Sequence, residues 1–398
     1  QMLEEVKDLL LNEIKKLRAG EFDEKMLQAN INNFKLYELQ SMESNEGRAD
    51  IFVNSFINGT NWEDEVTAID RMAKLTKEDI VAFADKYLKE DNYAVVYKKQ
   101  GKDPNEKKMT KPEITPIVSN RDVASPFLTS IQENAVKPIE PVFLDFKKDM
   151  SQLTAKSDIP VLYKQNTTND LFQLIYVFDM GNNNDKALGT AFDYLEYLGT
   201  SDMTPEELKS EFYRLACTFY VSPGNERTYV VLSGLNENMP AAMQLFEKLL
   251  ADAQVNKEAY DNLVGDILKA RADAKLNQGQ NFSRLMNYAM YGPKSPATNL
   301  LTEAELASMN PQELVDRIHN QNNYKHRILY YGPSSSKDLL ATIDQYHQVP
   351  ATLKDIPAGN EFSYLETPAT KVLVAPYEAK QIYMAQISNL DKKYDPAI

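Results

Sequence analysis

Apolar side chains recur at helical spacing from the start of the chain. Leu3, Val6, Leu9, Leu10, Ile14 and Leu17 fall on one face, and Gly20 follows where a C′ residue would stand. This predicts a helix over 1–18. A second helix is expected in EFDEKMLQANINNFKLYELQS, with Asp23 as its N-cap, and a third in SNEGRADIFVNSFING. LTKEDIVAFADKYL opens on Thr76 with Asp79 three residues on, the order of a capping box with Asp in place of Glu. NYAVVYKK then reads as a closing strand. Residues 101–142 are rich in proline and polar side chains, hold no sustained period, and are expected to be a linker.

Beyond the linker the period switches. DIPVLYKQ and LFQLIYVFDMG are expected strands, and in the second both alternating sets are mostly apolar, which predicts cover on both faces. A helix over 185–199 follows, then PEELKSEFYRLACTF with Pro205 at N1, the strand RTYVVLSG, and a run of helices: MPAAMQLFEKLLADA, NKEAYDNLVGDILKARADAKLN, NFSRLMNYAMYG and NPQELVDRIHNQ. HRILYYG is a strand and DLLATIDQYH a last helix. The order implies an α+β fold, a sheet with helices packed on one side. The block at Leu75 also resembles the block at Met309. Leu75, Thr76, Asp79, Ile80 and Val81 fall opposite Met309, Asn310, Glu313, Leu314 and Val315, and each copy is expected to be a capped helix followed by a strand. The copies lie roughly 230 residues apart, the length of one domain.

Composition narrows the class. The 398 residues are 43% hydrophobic and 26% charged, as in a globular protein, and suggest two to three domains. With 58 acidic and 44 basic side chains the net charge is −14, a surface that repels nucleic acid and anionic membranes. No run reaches the roughly 20 apolar residues of a membrane span. The single cysteine, Cys217, forms no internal disulfide and no cysteine zinc cluster, and is expected on a buried face. Both ends fall close to or inside expected elements, so the chain is expected to be a piece of a longer protein.

Candidate chemistry centres on ALGTAFDYLEYLGT. Asp193, Glu196 and Tyr197 are spaced i, i+3, i+4, the spacing at which one helical face grips a metal and carries a base. The three histidines, His319, His326 and His347, show no i, i+4 pair and no carboxylate at ligand spacing, so solvated surface positions are expected for them. GPSSSKDLL lacks the second glycine of a P-loop and is expected to be an N-capping loop.

LRAGEFDEKMLQANINNFKLYELQSMESNEGRADIF followed by LTKEDIVAFADKYLKEDNYAVVYKK resembles the end of the second domain of pitrilysin/insulysin-type zinc metallopeptidases (inverzincins). VLYKQNTTNDLFQLIYVFDMGNNNDKALGTAFDYLEYLGT resembles the start of a further domain of that family. The resemblance implies repeated α+β domains of the metallopeptidase LuxS/MPP-like kind, each a mostly antiparallel sheet covered by helices on one side. It implies the C-terminal part of a second repeat in 1–100, an inter-half linker in 101–142, a complete third repeat in 143–350 and the first strands of a fourth in 351–398.

The active first domain of that family carries His-x-x-Glu-His, with two zinc-binding histidines and a glutamate that activates the bound water. Here the frame stays, GTA before and LGT after, but Asp193 and Tyr197 occupy the histidine positions and only Glu196 matches. Neutral tyrosine is a poor ligand, and a third ligand would have to be Glu258. The motif at Asp193, Glu196 and Tyr197 is therefore expected to be degenerate, with no catalytic or metal-binding residue in this chain and zinc expected only in the parent protein. Arg284 and Tyr291 have the spacing of a substrate-holding pair of the family, but they stand in an expected helix of an odd-numbered domain, and the role is not transferred. The implied function is a non-catalytic section of a zinc metalloendopeptidase that lines a chamber and helps bind peptide or unfolded polypeptide. The alternative is a scaffold or partner subunit derived from an inactive family member. The implied partners are such peptides and the rest of the parent chain or a family partner subunit. The resemblance suggests a bacterial periplasm or cell envelope.

Overall fold

The computed structural model describes residues 2–101, 109–117 and 123–389. The chain forms two compact units, one of residues 1–22 and 76–149, the other of 23–75 and 150–398. Residues 23–75 thus cluster with the sheet-bearing part and not with the rest of 1–100.

The smaller unit contains α1 (Met2–Arg18), α6 (Lys77–Tyr87) and α7 (Pro126–Gln132). Both α1 and α6 follow the expected periodicity, and the capping box is present: the Thr76 amide donates to Asp79 Oδ2 at 2.9 Å and the Asp79 amide to Thr76 Oγ1 at 3.3 Å. Arg18 of α1 pairs with Asp85 of α6 at 2.7 Å. α1 fully buries none of its residues, and Leu3, Val6, Leu9 and Leu10 of its apolar stripe are exposed. Inside the expected linker, α7 forms because Ser125 caps it and Pro126 occupies N1, a favoured start. The expected strand over NYAVVYKK is not formed. A strand needs hydrogen-bonding neighbours, and among the described residues this segment pairs with none. The block at Leu75 thus forms its expected helix but not its expected strand.

The larger unit opens with α2 (Lys25–Ser41), α3 (Asn45–Asn58), α4 (Trp62–Val66) and α5 (Ala68–Met72). Then come β1 (Ser151–Ala155), β2 (Ile159–Gln165), β3 (Leu171–Phe178), α8 (Leu188–Leu195), α9 (Pro205–Arg214), β4 (Cys217–Pro223), β5 (Thr228–Leu235), α10 (Met239–Asp252), α11 (Lys257–Ala274), α12 (Gln278–Tyr291), α13 (Glu303–Ser308), α14 (Gln312–Asn320), β6 (Arg327–Gly332) and α15 (Ser336–Tyr346). One six-stranded sheet runs in the order β1-β2-β6-β3-β5-β4. Only β2 and β6 pair in parallel; the other four pairings are antiparallel. The fold is α+β with a mixed, mostly antiparallel sheet. A single sheet is present among the described residues.

β3 is central, which explains its near-continuous apolar run. Phe172, Leu174, Tyr176 and Phe178 face the main core with Val161, Ile328, Val230 and Leu232, under α8, α10, α14 and α15. The opposite face carries a smaller cluster in which Leu36 of α2 meets Leu171, Ala216 and Leu235. The expected cover on both faces of β3 is thus present at its start. Two expected boundaries move. The helix through RLACTF stops at Arg214, because Ala216 turns with φ +46° and Cys217 pairs with Gly234 of β5. Gly234 is required there: at φ +150° a Cβ would lie 2.3 Å from the Ala216 carbonyl. The strands expected after 350 are absent from 351–389 save for an isolated bridge between Tyr324 and Lys354. Val372, Val374 and Ile382 of that segment remain exposed, with no sheet neighbour to cover them.

Candidate functional site

The helix expected over 185–199 is shorter, α8 holding Asp193 with Glu196 as its C-cap and Tyr197 just beyond, and packing explains the small residues around them. Asp185 Oδ1 accepts from the Ala187 amide at 3.0 Å and Asn182 Oδ1 from the Gly189 amide at 2.9 Å, which satisfies donors of the first turn. Ala191 is fully buried, and a Cβ on Gly189 would press on Asn182. After the helix, the Thr200 amide donates to the Met203 carbonyl at 2.8 Å. A Cβ on Gly199 would come within 2.3 Å of that same carbonyl oxygen. The small residues on either side of DYLEY are therefore demanded by close approach, whatever the motif between them does.

Phe192, Tyr194, Leu195 and Leu198 point into the core, and Tyr194 has no exposed surface. Its hydroxyl donates to the Asn256 carbonyl at 2.5 Å and accepts from the Asn256 amide at 2.8 Å, and its ring meets Tyr260 edge-on at 5.8 Å. This joins α8 to the start of α11. Asp193, Glu196 and Tyr197 face away from that contact and are exposed. None of the three side chains makes a hydrogen bond or ion pair with the described residues. Desolvation and then the nearby Glu196 charge raise the Asp193 carboxyl above its ordinary range. Glu258 lies on the exposed first turn of α11. The set offers carboxylates and a phenol but no imidazole or thiolate, which is a poor match to a tetrahedral zinc centre. Among the described residues no three His, Cys, Asp or Glu side chains gather at metal-binding range.

Of the other candidates, Arg284 and Tyr291 stand on α12 as a helix, as expected, with Tyr291 stacked on Tyr364 at 4.7 Å. Cys217 is buried, and burial pushes its thiol up to about 12. The expectation of three solvated histidines fails. His326 is 6% exposed and His347 has no exposed surface. They meet at 2.8 Å between their Nε2 atoms, and His347 Nδ1 lies 2.7 Å from Glu247 Oε1. His319 is nearer the surface, its Nε2 3.1 Å from the Ala253 carbonyl. Sequence spacing holds no sign of the cluster. Glu247 is 100 residues from His347, and His326 is 21 residues from it; only the packing of α10 and α15 on the sheet unites them.

No protein-family model matches the chain, and no curated protein matches it. Solved structures do. The periplasmic protease PqqL from Escherichia coli is similar over 91% of this chain and 43% of its own, at 13% identity and a TM-score of 0.50. At that identity the likeness establishes a shared fold, and the chain spans less than half the length of PqqL. The ferredoxin protease FusC, solved with Arabidopsis ferredoxin, aligns over 88% of this chain and 42% of its own at 10% identity and a TM-score of 0.48. The peptidase M16 inactive domain from Pseudomonas fluorescens aligns over 55% and 53% at 15% identity and a TM-score of 0.44. These two add no weight at those scores.

Proposed function

We propose that this chain is a non-catalytic section of a pitrilysin-type zinc metalloendopeptidase. It contributes wall to a peptide-binding chamber, and hydrolysis belongs to a zinc site elsewhere in the parent protein. The observation that carries this reading is α8. It sits under the sheet of a protease-like fold within the frame of the family's zinc helix, yet Asp193 and Tyr197 stand where two imidazoles are needed. In the same reading 1–100 is the C-terminal part of a second repeat, 101–142 joins the halves, 143–350 is a complete third repeat, 351–398 starts a fourth, and the compartment is a bacterial periplasm or cell envelope.

Peptide contact falls on the open edge of the sheet. β4 pairs with β5 on one side only, and Thr218, Tyr220 and Ser222 along it are exposed. An extended peptide added there gains backbone hydrogen bonds with little demand on its sequence, which suits unfolded polypeptide. Fluorescence anisotropy with the full chain tests the reading. A labelled extended peptide is expected to bind, and its counterpart N-methylated at alternate residues to lose binding, because methylation removes the strand donors. Equal binding of both, or none of either, refutes edge pairing.

A further inference from the structure

The buried cluster around Glu247 holds a definite number of protons. Glu247, on α10, is 1% exposed and its carboxylate has four hydrogen-bond partners. Tyr176 Oη donates to Oε1 at 3.0 Å, and His347 Nδ1 lies 2.7 Å from the same oxygen. Asn322 Nδ2 and the Gln348 amide donate to Oε2 at 2.9 and 3.0 Å. An ionised carboxylate only accepts, so the 2.7 Å contact from Oε1 needs its hydrogen on the imidazole. His347 Nδ1 must then carry a hydrogen. His326 Nδ1 faces the Tyr324 carbonyl at 2.7 Å and must carry one too. Between the two Nε2 atoms, 2.8 Å apart, a third hydrogen is needed, since two bare lone pairs repel at that distance. Two neutral imidazoles supply only two hydrogens. The complete network therefore contains one added proton, whose charge offsets that of Glu247.

We propose that Glu247, His347 and His326 form a proton-operated latch that fastens the helical layer to the sheet. Its parts come from separate elements: Glu247 from α10, His347 from the residue after α15, and His326 from the residue before β6. The chain beyond His347 turns back beside His326, where the Lys325 amide donates to the Lys354 carbonyl at 2.9 Å and the Lys354 amide to the Asn323 carbonyl at 2.7 Å. Loss of the added proton sets the Nε2 lone pairs against each other. A second proton sets two N–H groups against each other. Either change opens the contact between α15 and the entry to β6. The titratable groups facing the network are these three and Tyr176 of β3; the other ionisable side chains on α14, α15 and β5 make no hydrogen bond or ion pair with it among the described residues. Burial, then the charge of His347, pulls His326 down to about 4.

The sign follows from proton counts. Above about 6.5 an unfolded histidine is neutral, whereas the folded network retains its proton. The folded state then binds more protons, so stability falls as pH rises through the alkaline limb. Losing one buried hydrogen bond changes the unfolding constant by on the order of tenfold. Glu247→Gln abolishes the need for the proton. With the amide nitrogen at the Oε1 position donating to His347 Nδ1, two neutral imidazoles complete the chain of bonds to Tyr324.

Urea unfolding of the 398-residue chain from mildly acid to alkaline pH, with 15N spectra of histidine-labelled protein, tests the latch. At neutral pH one imidazole is expected with both nitrogens protonated and another as the Nδ1–H tautomer. The alkaline limb is expected to be present in the parent chain and absent from Glu247→Gln. Neutral forms for all histidines at that pH, or the same limb in both proteins, overturns the proposal. If Glu247→Gln does not fold, Tyr176→Phe serves. It removes one donor from the carboxylate, so the network should hold its proton more tightly and the limb should move to higher pH. An unmoved limb in that variant is equally fatal.

Discussion

Leu195→Ala and Glu196→Gln are adjacent substitutions that separate a packing helix from a working site. Leu195 is 2% exposed and belongs to the main core. Alanine removes three carbon groups, about 2.4 kcal/mol at about 0.8 kcal/mol each. A residual void of about 60 Å³ adds about 1.5 kcal/mol at ~24 cal/mol per Å³. The sum, about 4 kcal/mol, lies within the roughly 2–5 kcal/mol seen for buried leucines. Glu196 is exposed and its side chain has no hydrogen-bond or ion-pair partner among the described residues, so the isosteric amide should change stability by less than about 0.5 kcal/mol. Removing its charge also relieves Asp193, whose carboxyl it helps to raise, so the small effect should be towards stabilisation. Urea melts of both variants beside the parent chain, followed by far-UV circular dichroism and by hydrogen exchange of the α8 amides, measure the difference. If Glu196→Gln proves the more damaging, Glu196 is a buried, paired carboxylate or a ligand, and the account of α8 as a packing helix is wrong.

The dialysed chain is expected to retain no stoichiometric zinc and to cleave no fluorogenic peptide, since Asp193, Glu196 and Tyr197 offer no imidazole; metal analysis showing one zinc per chain, or chelator-sensitive turnover, contradicts this. Limited proteolysis should cut first between Gly101 and Pro141, and early cleavage within Phe172–Met180 contradicts the boundary, because β3 is the central strand of the sheet. His326, held at about 4 chiefly by burial, resists a proton that the unfolded chain accepts near 6.5. Its contribution is therefore present above 6.5 and lost as pH falls towards 4, at most about 3 kcal/mol. A histidine NMR titration in which His326 titrates near 6.5 removes the basis for that acid limb.

Local rules carried much of this structure. Thr76 as an N-cap, Pro205 at N1 and the two-faced apolar pattern of LFQLIYVF were legible in the linear sequence, because each depends on neighbours within a few residues. The polar exterior of α8 was legible in the same way: a 3.6-residue period assigns Phe192 and Leu195 to one side and Asp193 and Glu196 to the other. Strand identity was less so. NYAVVYKK and HRILYYG have similar composition, yet only the second finds β2 and β3 to pair with. A strand's stability resides in bonds to other segments, which composition alone does not locate. The same reason hid the latch. A histidine's surroundings are set by whichever elements pack over it, and His326, His347 and Glu247 become partners only once α10 and α15 have settled on the sheet. The sequence by itself determined the long amphipathic helices, the capping box at Thr76 and the apolar run of β3. The tertiary structure decided which apolar segments become strands and which ionisable side chains share a buried proton, because both outcomes depend on contacts between residues far apart in the chain.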